Sequence, residues 1–251
     1  MVSRPTSPSR LALILLAFLL VAAATPLAAG PPPVVVDETN SDWGFLDETG
    51  TPMSGYVEGP GTPPLGGGSG MFGITDSADG VVLGTQLHAG LRLADITALS
   101  YATYQSASPQ APALQMNIDY DDTDATTTWQ GRLVYEPYYT QTIPVDTWQS
   151  WDTLTTGANW WSSGTPIVGD ASSPAACVIS SPCTWAEVLA AYPNAAIQQG
   201  VLAGLLFKAG SGWPAGWTGH VDQLVLTGTG VDVIYDIDTI VPVTLQSFSV
   251  D

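Results

Sequence analysis

Between Leu114 and Tyr120, apolar and polar side chains alternate without a break. Leu114, Met116, Ile118 and Tyr120 fall on one side, Gln115, Asn117 and Asp119 on the other. A period of two belongs to a strand with one buried face, not to a helix. Apolar, β-branched and aromatic runs of similar length recur at 71–75, 81–87, 96–104, 127–136, 147–154, 201–208, 220–227 and 231–236, with turn residues between them. Residues 43–70 are rich in Gly and Pro and read as turns and short edge strands. A chain patterned this way is expected to be all-β, an antiparallel β-sandwich of two packed sheets.

One helix interrupts the pattern. Thr184 and Glu187 are spaced as a capping box, followed by Val188-Leu189-Ala190-Ala191-Tyr192 and stopped by Pro193. A short helix is therefore expected at 184–192. The natural partner of the 113–120 strand is 129–136. It would place Trp129, Leu133 and Tyr135 on one side, and Gln130, Arg132 and Glu136 on the other.

The N-terminus reads as a signal peptide. Arg4 and Arg10 precede the apolar run Leu11–Ala24, and the small residues 25–30 follow. The run is shorter than the roughly 20 residues that span a bilayer. The expected organisation is a removed leader at 1–29, an extension at 30–42, the sandwich at 43–240 and a tail or last strand at 241–251. The expected location is secreted or at the cell surface, with no membrane insertion after cleavage.

Charge narrows the partners. Charged residues make up 11% of the chain, so the surface must be built largely from neutral polar groups. After residue 29 only Arg92, Arg132 and Lys208 face all 23 acids, a formal charge of −20. Such a chain has almost nothing with which to neutralise phosphates, which excludes nucleic acid and anionic membrane surfaces as partners.

Cys177 and Cys183, six residues apart, are expected to form a disulfide in an oxidising compartment, pinning the start of the helix. With only His88 and His220 in the chain, zinc is not expected.

Several stretches resemble an uncharacterised group of bacterial secreted domains of concanavalin-like or jelly-roll type. They are G-P-G-T-P-P-L-G-G-G-S-G (59–70), L-A-D-I-T-A-L-S-Y-A-T-Y (93–104), T-T-W-Q-G-R-L-V-Y-E-P-Y-Y (127–139), C-T-W-A-E-V-L-A-A-Y-P-N-A (183–195) and L-L-F-K-A-G-S-G-W (205–213). The sequence G-H-V-D-Q-L-V-L (219–226) is similar to the late strand of carbohydrate-binding jelly rolls. The resemblance implies the fold and, by analogy alone, a binding module for extracellular glycan; fold does not settle function.

Three sets of residues carry candidate chemistry. Trp160 and Trp161, in a Gly- and Ser-rich context, and Tyr138 and Tyr139 are candidate stacking platforms for sugar rings, against the alternative that they fill the core. Gln115, Asn117, Gln130 and Arg132 would offer hydrogen bonds to hydroxyls from one sheet face, with Arg132 equally able to neutralise Asp119 or Glu136. Asp119, Asp121, Asp122 and Asp124 are candidate calcium ligands, although the EF-hand pattern is not met and a solvated turn explains them as well.

No cofactor other than calcium is expected. Neither G-x-S-x-G nor H-E-x-x-H occurs, nor does the E-x-D-x-x-E strand motif of concanavalin-like glucanases. The expected function is therefore non-catalytic glycan binding. The alternatives are a structural or adhesive surface protein and, third, a glycoside-active enzyme with Glu136 as the candidate acid.

Overall fold

The computed structural model describes residues 30–107, 109–126, 129–164, 177–200 and 202–240. The chain divides into two units, 1–30 and 31–251, and all described elements lie in the second. The expected leader and tail fall outside the described residues.

The elements are β1 (Val34–Val36), β2 (Trp43–Thr49), β3 (Met53–Glu58), β4 (Gly68–Ile74), β5 (Gly80–Thr85), β6 (Ile96–Gln105), β7 (Ala113–Asp119), β8 (Arg132–Tyr135), β9 (Gln149–Asp152), β10 (Trp160–Ser163), α1 (Trp185–Ala191), β11 (Ala196–Ile197), β12 (Leu205–Gly210), β13 (Trp217–Gly228) and β14 (Val231–Ile237). They form two curled sheets packed as a β-sandwich. The first runs β1-β14-β13-β4-β3, with β6 on the free edge of β13 and β9 beyond it; the second runs β10-β8-β7-β12-β5-β2, with β11 against β7. Pairing is antiparallel except between β1 and β14. Val34–Val36, expected in an extension, thus belongs to the first sheet.

The core lies between the sheets. Phe72, Leu99, Tyr101, Val221 and Leu226 of the first meet Leu83, Leu114, Met116, Leu133 and Phe207 of the second, all essentially without exposure. Tyr101 spans the two layers, its ring 5.3 Å from Phe207 and 6.2 Å from Tyr135. Its hydroxyl donates to the Pro112 carbonyl, satisfying a buried polar group. Burying each such side chain contributes roughly 1.5–3 kcal/mol.

The capping box forms as spaced. Glu187 N donates to Thr184 Oγ1 and Thr184 N donates to Glu187 Oε2. Just before it, Cys177 and Cys183 are joined in a disulfide with their α-carbons 5.0 Å apart. Cys183 also pairs through its backbone with Trp160, so the bond ties the start of α1 to β10.

The hairpin of β7 and β8 departs from the expected pattern at one point. Leu133 and Tyr135 are buried and Arg132 faces outward, as alternation requires. Trp129, expected inside, is 55% exposed, and Gln130, expected on the outer face, is buried. Gly131 is the cause. It has φ 125°, and a β-carbon there would stand 2.7 Å from the Ser163 carbonyl oxygen. This glycine breaks the alternation before β8 begins, so the two residues ahead of it exchange sides.

Candidate functional site

The outward face of the second sheet carries the polar residues. On β7, Gln115 and Asn117 point away from the core between Leu114, Met116 and Ile118. Cross-strand pairing puts Trp161, Val134, Gln115 and Leu206 in one row, and Ser163, Arg132 and Asn117 in the next. Lys208, opposite Ala113, lies on the same face.

The first of these rows borders a cleft of about 380 Å³, lined among others by Gln110, Gln115, Glu136, Tyr138, Trp161, Lys208 and Trp213. The size falls at the lower end for small-ligand sites. One wall is the turn Gly210-Ser211-Gly212, three successive residues with positive φ, held by Ser211 N to the Asp79 carbonyl and Gly212 N to the Ser77 carbonyl. Gln110 Oε1 is buried there without a hydrogen-bond partner.

An ion network floors the face. Arg132 Nη1 donates to Glu48 Oε1 at 2.9 Å, and Lys208 Nζ pairs with Glu48 Oε2. Arg132 also reaches Gln115 Oε1 and Asn117 Oδ1, each at 3.3 Å. Asn117 Nδ2 donates to the Ala203 carbonyl, and its Oδ1 accepts from Trp129 Nε1 at 2.9 Å. Two of the three cations after residue 29 are thus collected on one sheet face.

Two carboxyl groups beside Lys208 are pushed in opposite directions. Burial pushes Glu48 up, but Lys208 and Arg132 more than offset it and hold the carboxyl below its ordinary value. Glu136 is raised, chiefly by burial, although Trp161 Nε1 donates to its Oε2 at 3.1 Å. Burial foremost, with Tyr139 and Glu136 behind it, also raises the Tyr138 hydroxyl.

The sequence candidates divide accordingly. Gln115, Asn117, Arg132, Trp161 and Tyr138 come together on this face. Tyr139 packs on Tyr138, ring centres 4.2 Å apart. Trp160 offers no platform: it is fully buried between Tyr135 and Trp185, its Nε1 bound to the Thr153 carbonyl. Strand alternation explains the split, because β10 turns Trp160 inward and Trp161 outward. Gln130 is likewise structural; its Oε1 accepts from Tyr120 N and its Nε2 donates to Asp119. Arg132 pairs with Glu48 rather than with either acid expected from sequence.

The four loop aspartates serve local bonds. Asp119 accepts from Asp121 N, Asp121 from Thr123 N and Oγ1, and Asp124 from Thr126 N, while Asp122 pairs with Arg92 at 2.8 Å. Among the described residues no group of three or more His, Cys, Asp or Glu side chains is gathered as a metal shell. No described helix is long and apolar enough to cross a membrane.

Sequence reasoning missed Glu48, Lys208, Gln110, Trp129 and Trp213 as members of this face. Scarcity was the available signal for Lys208, one of three cations in a strongly acidic chain. Glu48 had none, since it arrives from a strand at the far edge of the sheet. No family model, curated protein or solved structure matches the chain.

Proposed function

We propose that the outward face of the second sheet is a carbohydrate-binding site and that this chain is an extracellular, non-catalytic binding module. The reading rests on one observation: aromatic faces and hydrogen-bonding groups converge on a single cleft. Half-buried Trp161, with Tyr138 and Trp213, lines the cleft beside Gln115, Gln110 and Lys208, and exposed Trp129 is bonded to Asn117 on the same sheet face. Sugar rings present apolar faces that stack on indoles and hydroxyls that need donors and acceptors at fixed positions. The network of Glu48, Arg132 and Asn117 holds those groups in place before a ligand arrives, which limits the ordering cost of binding. A glycan-array screen of residues 30–251 tests this. Saturable binding that is lost in Trp161→Ala or Gln115→Ala is expected; a blank array contradicts the reading.

A second reading, a glycoside-active enzyme, draws on Glu48 and Glu136. A carboxyl kept ionised and one pushed toward its protonated form are the pair that glycoside hydrolysis uses. Chromatography of array-positive oligosaccharides after incubation distinguishes the two: intact sugar favours the binding module, and cleavage abolished in Glu136→Gln favours the enzyme.

A further inference from the structure

Where β13 exchanges one neighbour for another, the first sheet opens. Pairing with β4 ends at Val221 opposite Gly70, and pairing with β14 begins at Leu224 opposite Tyr235. Asp222 and Gln223 fall between, with Gln223 at φ 52°. Asp222 is fully buried and both of its oxygens are engaged. Oδ2 accepts from Leu65 N at 2.9 Å, and Oδ1 accepts from Gln223 N at 2.6 Å and Ile237 N at 3.1 Å. These bonds fasten the loop that leads into β4 to the end of β14.

Two further carboxylates stand at this junction. Asp236 is nine-tenths buried, at 9% exposure, and its Oδ1 has no hydrogen-bond partner. That oxygen lies 3.0 Å from the place a β-carbon would occupy on Gly66, and Asp238 Oδ2 lies closer still. Asp238 Oδ1 is taken by Thr239 N at 2.7 Å, so Oδ2 is the oxygen turned toward Gly66. Two carboxylate oxygens thus converge over one glycine, whose missing side chain leaves them room. A buried acceptor left unpaired is costly, more so when charged. No cation among the described residues relieves it: Arg92 is paired with Asp122, and Arg132 and Lys208 with Glu48. Like charge adds to the strain. Burial and then Asp238 raise the Asp236 carboxyl; Asp222 is pushed to about 6 by burial, with Asp236 a smaller contributor.

We propose that the carboxylates of Asp236 and Asp238, set over the 65–68 loop that Asp222 anchors, hold a calcium ion. Calcium takes six to eight oxygen ligands and accepts backbone carbonyls and water alongside a few carboxylates, so two charged ligands suffice. The ion neutralises the repulsion and clamps the loop before β4 to the end of β14. The site belongs to the first sheet and stands apart from the glycan cleft on the second.

The test is thermal unfolding of the chelator-treated protein with and without calcium chloride, with calorimetric titration for stoichiometry. Calcium binding only the folded state raises Tm. The expected result is a rise with one ion per chain in the wild type, and no rise in Asp236→Asn or Asp238→Asn. Both substitutions keep the shape and remove repulsion, so each variant without calcium is expected to melt no lower than the calcium-free wild type. Absence of a wild-type rise overturns the proposal. So does a rise that survives in both variants, or one that disappears instead in Asp121→Asn/Asp124→Asn, which would assign the ion to the acidic loop.

Discussion

Arg132 on β8 and Glu48 on β2 meet at 2.9 Å although β7, β12 and β5 lie between their strands. At about 4.8 Å per strand, a flat sheet would separate β8 from β2 by roughly 19 Å, farther than the two side chains reach. The second sheet therefore curls toward its polar face, and the pair closes the curl. Lys208, on the strand two places from β2, joins the same carboxylate.

Glu48→Gln is expected to destabilise the fold by about 2 kcal/mol, because it strands two partly buried cations that share one counter-ion. Urea denaturation measures this. Arg132→Ala should cost less, since Glu48 keeps Lys208. Equal costs would contradict the sharing of Glu48 between the two cations.

Glu136 sets a pH dependence. Its carboxyl titrates above the ordinary 4.5 because burial disfavours the charge. The folded state therefore binds the proton more tightly than the unfolded chain does. That contribution is fully present below 4.5 and is lost as pH rises through the raised folded value. Glu136→Gln cannot titrate. Its denaturation midpoint relative to wild type should rise from pH 4 to pH 7; a constant difference across that range would contradict the assignment.

Trp160 and Trp161 are adjacent in sequence and opposite in consequence. Trp160→Ala empties a buried indole site between Tyr135 and Trp185 and should cost about 3–5 kcal/mol. Trp161→Ala removes a half-buried ring from the cleft and should cost about 1 kcal/mol or less, with ligand binding lost. Melting temperatures of the two variants decide; equal losses would contradict the placement of β10.

The paired cysteines give a modest stabilisation. A loop this short restricts the unfolded chain by about 2 kcal/mol. Intact mass after alkylation without reductant should show no modified thiol, and reduction should lower the urea midpoint.

How much of this was legible in the sequence depends on range. Alternation from Leu114 to Tyr120 and the Thr184–Glu187 spacing are local signals, and both elements form as read. The face of β7 carrying Gln115 and Asn117 follows from the same period. β10 carries no such signal, because its four residues in a Gly- and Ser-rich stretch give too short a pattern to register. Trp129 and Gln130 lie on the sides opposite to those that alternation implies, because the backbone at Gly131 breaks the period ahead of β8. Glu48 belonged to no motif; only the curl of the sheet brings it to Arg132. The junction of Asp222, Asp236 and Asp238 is likewise a product of topology, since it forms where β13 changes partners.

Sugar bound over the polar face of the second sheet would lie against Trp161 and close to Trp129. Indole N–H resonances report it directly during titration with an array-positive oligosaccharide. The signals of Trp161 and Trp129 should move saturably while those of the core residues Trp160 and Trp217 stay in place. Movement confined to Trp148, which sits with Tyr104 away from this cleft, or no movement at any indole, would contradict it.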